Sequence, residues 1–251
     1  SACLVGSEMC IRDSFYLVMA YIAGDNVEEM QIAHFKRFQR PLPEHMSLML
    51  MALICAATQE LHDQKVLHRD IKPANIKVEQ TGQPILLDLG LAKLDPATHT
   101  LLAAQAYTPG YAPPEQCQEG GSTTERTDVY ALGATTYYTL TGRQPWDAVK
   151  RLVEVQMGHS DMPTPLDHCP WISPTTDAVV MQALALDPDH RFSSATAMQR
   201  ALEDAYRALG PMALCATCHA LNSANAEYCG DCGAALKQAP PQTAQSVLCL
   251  L

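Results

Sequence analysis

From Val66 to Leu94 the chain reads VLHRDIKPANIKV, EQTGQPI and LLDLGLAKL. No other stretch limits the fold as strongly. The apolar groups Val66-Leu67, Ile76 to Val78 and Ile85 to Leu87 read as short strands, with a hairpin turn at Thr81-Gly82 between the last two. The side chains they bracket are polar and ionic: Asp70, Lys72 and Asn75 stand before the hairpin, and Asp88 follows it directly.

The pattern around this stretch is mainly helical. Phe15 to Ile22 reads as a buried strand, Ala23-Gly24-Asp25-Asn26 as the turn leaving it, and Glu28-Glu29 as an exposed turn. Between Pro43 and His62, Met46, Leu50, Leu53, Ile54, Ala57 and Leu61 recur at helical spacing and predict one long helix with a buried face. The run Met46, Met49, Met51 is assigned to that helix's core, because Met fills gaps. Residues 91–124 are loop-like and rich in Pro and Gly. A second buried helix is predicted from about Asp128 to Leu140, stopping at Gly142, and further helices near 147–157, 174–186 and 193–208. At 251 residues, 47% hydrophobic and 18% charged, the chain can build a real core and is too apolar for disorder. The expected fold class is mainly α with small β-hairpins.

Phosphoryl transfer needs a carboxylate near the attacking hydroxyl, oxygen ligands for Mg²⁺ and positive charge at the transferred phosphate. Asp70, Lys72, Asn75 and Asp88 supply these groups, and Asp and Asn carry the hard oxygen donors that Mg²⁺ prefers. The stretch resembles the protein kinase catalytic loop, H-R-D-x-K-x-x-N, followed by the D-F-G metal loop. The resemblance extends further. TPGYAPPEQ (Thr108 to Gln116) is similar to the segment ending in A-P-E, and TDVYALGATTYYTLTGRQPW (Thr127 to Trp146) to the kinase helix F region. DPDHRFSSA contains Arg191, which in the family pairs with the glutamate here at Glu115, and FYLVMAYIAGDN resembles strand 5 and the hinge. The motifs keep the family's order across residues 15–209.

The resemblance implies a kinase C-terminal lobe and a role for each matching residue. Asp70 accepts the substrate hydroxyl proton, Lys72 neutralises the γ-phosphate, and Asn75 and Asp88 hold Mg²⁺. Asp128 holds the catalytic-loop backbone, and His68 packs under the metal loop. Met19 is the gatekeeper, Ala20 to Ile22 form the adenine-binding backbone, and Lys77 lies beneath the adenine ring with its ammonium snorkelling outward. Lys72 together with Thr108 is the serine/threonine pattern, so ATP, Mg²⁺ and protein substrates bearing Ser or Thr are implied. Arg69 implies regulation by activation-loop phosphorylation, with Thr98 and Thr100 as candidate sites for that phosphate, and autophosphorylation is a further expectation. The wording PANIKV and GYAPPEQ resembles the Hanks-type kinases of bacteria.

The sequence departs from the family pattern at Leu89, where D-F-G has Phe, at Pro113, where A-P-E has Ala, and at Ala20, where the hinge often has Glu. None of these removes a charge that the chemistry needs. No G-x-G-x-x-G loop, strand-3 lysine or helix-C glutamate precedes residue 15, so the expectation is a truncated kinase, inefficient by itself.

A second feature stands apart. LCATCHALNSANAEYCGDCGAAL, Leu214 to Leu236, holds two C-x-x-C pairs, Cys215/Cys218 and Cys229/Cys232, with ten residues between them. Two such knuckles complete a tetrahedral Cys₄ site, and metal binding contributes on the order of 10–16 kcal/mol to folding a segment too short to bury a core. Residues 213–236 resemble a zinc ribbon with a closed, structural Zn²⁺ site. Disulfides are a second reading, set against the reducing compartment of a kinase. The literal C-x-x-C-H at Cys215 to His219 is a third, as a haem attachment that leaves the second pair unexplained.

The net charge of −10 and the absence of a long basic run argue against nucleic acid, and no apolar run is long enough to span a membrane. The expected location is cytoplasmic, with a tether outside this stretch left open. His34, His45, His99, His159 and His168 have no ligand spacing and read as surface or loop residues. Cys117 lies near the substrate-binding segment, but nothing marks it as a redox sensor.

The opening LVGSEMCIRDS, Leu4 to Ser14, resembles no kinase element. Read back into codons it matches a transposase adapter used in sequencing-library preparation, and Cys249-Leu250-Leu251 fit the start of the same element reversed. The expectation is an artefact over residues 1–14 joined to a truncated gene, with a natural divergent linker as the alternative. Residues 237–251 are expected to be a disordered tail. Three functions compete: a serine/threonine kinase present as a fragment, a pseudokinase or scaffold that binds partners through the lobe and the ribbon, and a protein- or nucleic-acid-binding ribbon tethered to a kinase, the nucleic-acid form opposed by acidic charge and few Lys and Arg in 213–236. The intact set Asp70, Lys72, Asn75 and Asp88 favours the first.

Overall fold

The computed structural model of the protein describes residues 21–88, 107–117, 121–218, 221–224, 227–230 and 232–236. Leu4 to Ser14, the strand expected from Phe15 as far as Ala20, Leu89, Thr98, His99, Thr100, His219 and residues 237–251 lie outside the described residues.

Three short strands form the small sheet of the described lobe. Strand β1 (Asp25–Asn26) pairs antiparallel with β2 (Ile76–Val78), which pairs in turn with β3 (Pro84–Leu86), giving the order β1-β2-β3. The register sets Asn26 opposite Lys77, and Lys77 opposite Ile85. Asp25-Asn26 is therefore a strand and not only a turn. Gly24 leads into it with φ +134°, where an added Cβ would lie 2.1 Å from the Val78 carbonyl oxygen, so only glycine fits. Strand β3 begins one residue earlier than expected; its Pro84 sits at the strand start, where a missing N–H costs least. Val66-Leu67 forms no strand, because the Val66 N–H folds back onto the Leu61 carbonyl at 2.9 Å and closes the preceding helix.

The pair Glu28-Glu29 is not an isolated turn but the first turn of α1 (Val27–Phe38). Asn26 accepts from the Glu29 N–H, and the Glu29 carboxylate accepts from the Asn26 N–H, a capping box that fixes the helix start. Lys36 and Arg37 in the last turn complement the helix dipole.

Helix α2 (Glu44–Asp63) matches the predicted long helix, but its buried face is rotated from the expected one. Leu48, Met51, Ile54, Cys55, Thr58 and His62 face inward. Met46 and Met49 are 39% and 51% exposed and Leu53 is 44% exposed, so of the methionine run only Met51 is core. Ser47, Thr58 and His62 share the inward face, and their polarity shifts the apparent stripe when only apolar residues are counted.

After a helical turn, α3 (Pro114–Cys117), helix α4 (Glu125–Thr141) runs through the centre and is buried on nearly every side. Its threonines survive burial because they bond back along the helix: Thr135 Oγ1 donates to the Ala131 carbonyl at 2.8 Å and Thr136 Oγ1 to that of Leu132 at 2.7 Å. The helix ends at Gly142 in the left-handed region, φ +67°. Helices α5 (Ala148–Gln156), α6 (Pro165–His168), α7 (Pro174–Ala183) and α8 (Ala195–Ala208) follow; α6 is the one without a sequence signal. One core joins α2, the start of α4, α8 and Ile76 of β2, and a second joins Tyr130, Tyr137 and Leu140 of α4 to Ala148, Ile172, Val180 and Leu184. Each fully buried Leu or Ile contributes roughly 1.5–3 kcal/mol. A separate hairpin of β4 (Met212–Leu214) and β5 (Leu221–Ser223) carries the first cysteine knuckle. Among the described residues, no helix is long and apolar enough to cross a membrane.

Candidate active site

The segment from Val66 to Lys72 has no regular structure, so side chains must hold it. Asp128, fully buried in the first turn of α4, is the main support: Oδ2 accepts the His68 N–H at 2.9 Å and Oδ1 accepts the Arg69 N–H at 2.8 Å. His62 of α2 donates Nε2–H to the same Oδ2 at 2.8 Å. The Gln116 amide donates to the Arg69 carbonyl at 2.7 Å and ties α3 to the loop. Arg69 itself is left-handed, φ +64°, a conformation uncommon for a side chain of this size.

His68 is buried and links the loop to the end of β3. Its Nε2 lies 2.9 Å from the Leu87 carbonyl, which can only accept, so Nε2 carries the proton and Nδ1 accepts the Asp70 N–H at 3.3 Å. The Leu87 N–H returns to the Asn75 carbonyl at 2.8 Å. These bonds set Asp88, also left-handed at φ +64°, directly beyond the residue that joins the hairpin to the loop.

The polar side chains converge on Asp70. Its Oδ1 accepts the Thr108 hydroxyl at 2.7 Å, and its Oδ2 lies 2.8 Å from Lys72 Nζ and 2.9 Å from Asn75 Nδ2. Asn75 Nδ2 also donates to the Asp70 carbonyl at 2.8 Å, leaving the amide oxygen Oδ1 as its ligand atom. Lys72 Nζ reaches Thr108 Oγ1 at 3.0 Å. The Asp70 side chain keeps 15% of its surface open, so the carboxylate is held yet reachable. The arrangement can accept a proton from a hydroxyl, offer positive charge beside it and present amide and carboxylate oxygens to a hard cation.

Across the lobe, Arg191 spends every N–H. It binds Glu115 at both oxygens (2.7 and 3.0 Å) and donates to the carbonyls of Ala185, Leu186 and Arg126 at 2.7, 3.0 and 3.0 Å. This is the Glu115–Arg191 pair that the resemblance implied.

With this geometry, comparison with known proteins is specific. The family profile described as "Protein kinase domain" matches residues 7–205. This chain belongs to the protein kinase family. The serine/threonine-protein kinase PrkC of Bacillus subtilis is 32% identical over 199 residues, covering 78% of this chain and 30% of that protein. The serine/threonine-protein kinase PknB of Mycobacterium leprae is 34% identical over 187 residues, covering 73% of this chain and 29% of that protein. A solved structure described as "PpkA-294 apo form" superposes with a TM-score of 0.60 at 28% identity, over 73% of this chain and 62% of that one. The chain therefore spans about three tenths of the length of these two curated relatives.

Of the residues that the resemblance placed on the nucleotide side, Met19 and Ala20 lie outside the described residues. Ile22 and Lys77 are brought together, but not as expected. The Lys77 ammonium does not point outward: Nζ donates to the Ile22 carbonyl at 2.7 Å and sits 5.0 Å from the centre of the Tyr21 ring. Ile22 lies outside the sheet, so its carbonyl is open to a side-chain donor within reach of the lysine stem.

Sequence reasoning missed three supports. His62, through Asp128, and Gln116 hold the segment from Val66 to Lys72 from two sides, as above. Arg151 of α5 is almost fully buried, binds Asp161 through Nε and Nη2 at 2.8 and 2.7 Å, and donates to the Tyr130 hydroxyl and the Leu184 carbonyl. Burial alone would raise the Asp161 carboxyl, but bonds from Arg151 and the Met162 N–H hold it below its ordinary range. For His62 a signal existed, a polar residue one turn beyond Thr58 on the inward stripe; for Arg151, among mixed neighbours, there was none.

The four clustered cysteines meet. The Sγ atoms of Cys215, Cys218, Cys229 and Cys232 lie within 4.8 Å of one another, with Cys215–Cys232 and Cys218–Cys229 both at 3.6 Å. These cysteines are free thiols, not disulfides. A tetrahedral ion with metal–sulfur bonds of about 2.3 Å separates its ligand sulfurs by about 3.8 Å, so the donor set fits a thiophilic cation such as Zn²⁺. The N–H groups of Cys218 and then Thr217, the latter at 3.4 Å, lower the Cys215 thiol to about 6 against the opposing effect of burial. Asn222 Nδ2 donates to Cys229 Sγ at 3.4 Å.

Proposed function

We propose that the chain carries the phosphoryl-transfer machinery of a protein serine/threonine kinase, moving the γ-phosphate of ATP to Ser or Thr hydroxyls of protein substrates, its own chain among them. The observation that carries the reading is the Asp70 carboxylate, with one oxygen receiving a hydroxyl proton donor, Thr108, and the other flanked by Lys72 and Asn75. In this reading Asp70 orients the acceptor hydroxyl and takes its proton, and Lys72 offsets charge on the transferred group. Asn75 Oδ1 and the Asp88 carboxylate would hold Mg²⁺, which supplies charge neutralisation at the phosphates. Ile22, with Met19 and Ala20, would form the hinge beside the nucleotide, and Lys77 its floor. Two named serine/threonine kinases at 32% and 34% identity support the choice of acceptor.

Residues 213–236 are read as a second, metal-stabilised module, in which Cys215, Cys218, Cys229 and Cys232 hold one structural Zn²⁺. Four thiolates leave no open position, so the ion's role is to fold the segment.

The test of the kinase reading uses the product of the complete reading frame, ATP labelled at its γ-phosphate and a generic basic protein substrate. Label recovered as phosphoserine and phosphothreonine, dependent on Mg²⁺, is expected. Binding of ATP without transfer would instead favour the scaffold reading. Metal analysis of purified protein is expected to return one zinc per chain, and a cysteine cluster without stoichiometric metal would remove the ribbon.

A further inference from the structure

The second cysteine knuckle touches the kinase lobe at Arg40. Arg40, in the turn between α1 and α2, donates from Nη1 to the Gly230 carbonyl at 3.3 Å across 190 residues of sequence. Its guanidinium also lies over the Trp171 indole, 5.1 Å from the ring centre, and its own carbonyl accepts from His34 Nδ1 of α1 at 3.0 Å. Arg40 thus joins three parts of the molecule: α1, the α6–α7 connection and the knuckle.

Gly230 lies between Cys229 and Cys232 and connects onward to the sulfur cluster. Its N–H donates to Asn222 Oδ1 at 2.7 Å, and Asn222 Nδ2 donates to Cys229 Sγ at 3.4 Å. A continuous path of hydrogen bonds therefore runs from Arg40 through Gly230 and Asn222 to a candidate metal ligand. Charge agrees with this path. A divalent ion held by four thiolates carries net negative charge, and the Arg40 guanidinium is a cation set against that knuckle, with Nη2 4.0 Å from the position a Cβ on Gly233 would take.

We infer that the metal-loaded knuckle is a docking element for the kinase lobe, seated by Arg40 on the α1–α2 corner, so that metal occupancy fixes the contact between Arg40 and Trp171. The inference rests on the zinc reading of the four cysteines and goes beyond it: the ion orders a contact outside its own module. Without the ion the four sulfurs are no longer held together and the Gly230 carbonyl is no longer fixed, so Arg40 loses the partner that holds it over the indole.

The chain has two tryptophans, so Trp146→Phe leaves Trp171 as the only indole and a direct reporter. The experiment measures zinc content and Trp171 emission of the full chain before and after stripping with a strong chelator, in this background and in Arg40→Ala and Arg40→Gln. The expected result is one zinc in all three proteins, with a chelation-induced change in Trp171 emission that falls at least threefold in both Arg40 variants. Far-UV circular dichroism keeps the comparison to folded protein, and the Gln variant retains most of the side chain's packing should the Ala variant unfold. Zinc bound with an equal emission change in all three, or with none in the parent, overturns the docking inference alone. Absence of zinc from the parent overturns the metal reading and the inference with it.

Discussion

Asp128 stands 60 residues beyond His68 in the chain, yet its Oδ2 accepts the His68 N–H at 2.9 Å. Its Oδ1 takes the next N–H, that of Arg69, and His62 donates to Oδ2 as well. A buried helix thus presents one carboxylate to two consecutive backbone donors of a loop without secondary structure. Asn at this position offers one oxygen and an NH₂ that faces a donor. Asp128→Asn is expected to lower unfolding free energy by roughly 2–4 kcal/mol, as a hydrogen bond to charge is lost and a buried donor left unmet. Urea unfolding measures it; a midpoint equal to wild type would refute this support.

Arg191 makes five hydrogen bonds at a site where its own side chain is fully buried. Removing it leaves Glu115 without its countercharge and takes a donor from the carbonyls of Ala185, Leu186 and Arg126. Arg191→Ala is expected to destabilise by about 3–5 kcal/mol. Arg191→Lys should recover less than half of this, because an ammonium cannot span a bidentate carboxylate and three carbonyls together. Thermal unfolding of both variants checks the order.

The polar loop was legible because Asp70, Lys72, Asn75 and Asp88 stand at the spacing of the kinase motifs they resemble, and phosphoryl transfer calls for side chains of these types. Of these, Lys72 and Asp70 bond Thr108, at 3.0 and 2.7 Å. Periodicity located α2 and α4 within a few residues. It failed at α1, whose start is set by the Asn26–Glu29 capping box and whose stripe is weak, with Ile32 and Phe35 exposed. It also failed for Met46 and Met49, since a stripe of apolar letters cannot show that Thr58 and His62 belong to the inward face. Lys77 and Arg151 depend on partners far away in sequence, Ile22 and Leu184 among them, which no local pattern encodes.

Cys117 sits at the end of α3 beside the catalytic loop's anchor. Burial, aided by the negative charges of Asp147 and Glu115, pushes its thiol up to about 11. The thiolate fraction then grows tenfold per pH unit with no plateau until near that value, and near neutral pH the thiol is almost wholly protonated. Iodoacetamide labelling of Cys117 in folded protein, followed by mass spectrometry from pH 7 to 10, should be about 30–100-fold slower than at an ordinary cysteine near pH 7, the gap narrowing to about tenfold at pH 10. A rate that levels off below pH 9 would contradict this and reopen a redox role.

The central claim is that the Asp70 carboxylate, and not merely the fold around it, carries phosphoryl transfer. Asp70→Asn keeps the size of the side chain and can still accept from Thr108, but it cannot serve as a base. The decisive measurement is the steady-state rate of γ-phosphate transfer to a protein Ser/Thr substrate by the product of the complete reading frame, wild type against Asp70→Asn, with ATP binding measured in parallel. A loss in kcat of roughly 10²–10⁴-fold at unchanged ATP affinity is predicted. Equal transfer rates for the two proteins would contradict the account.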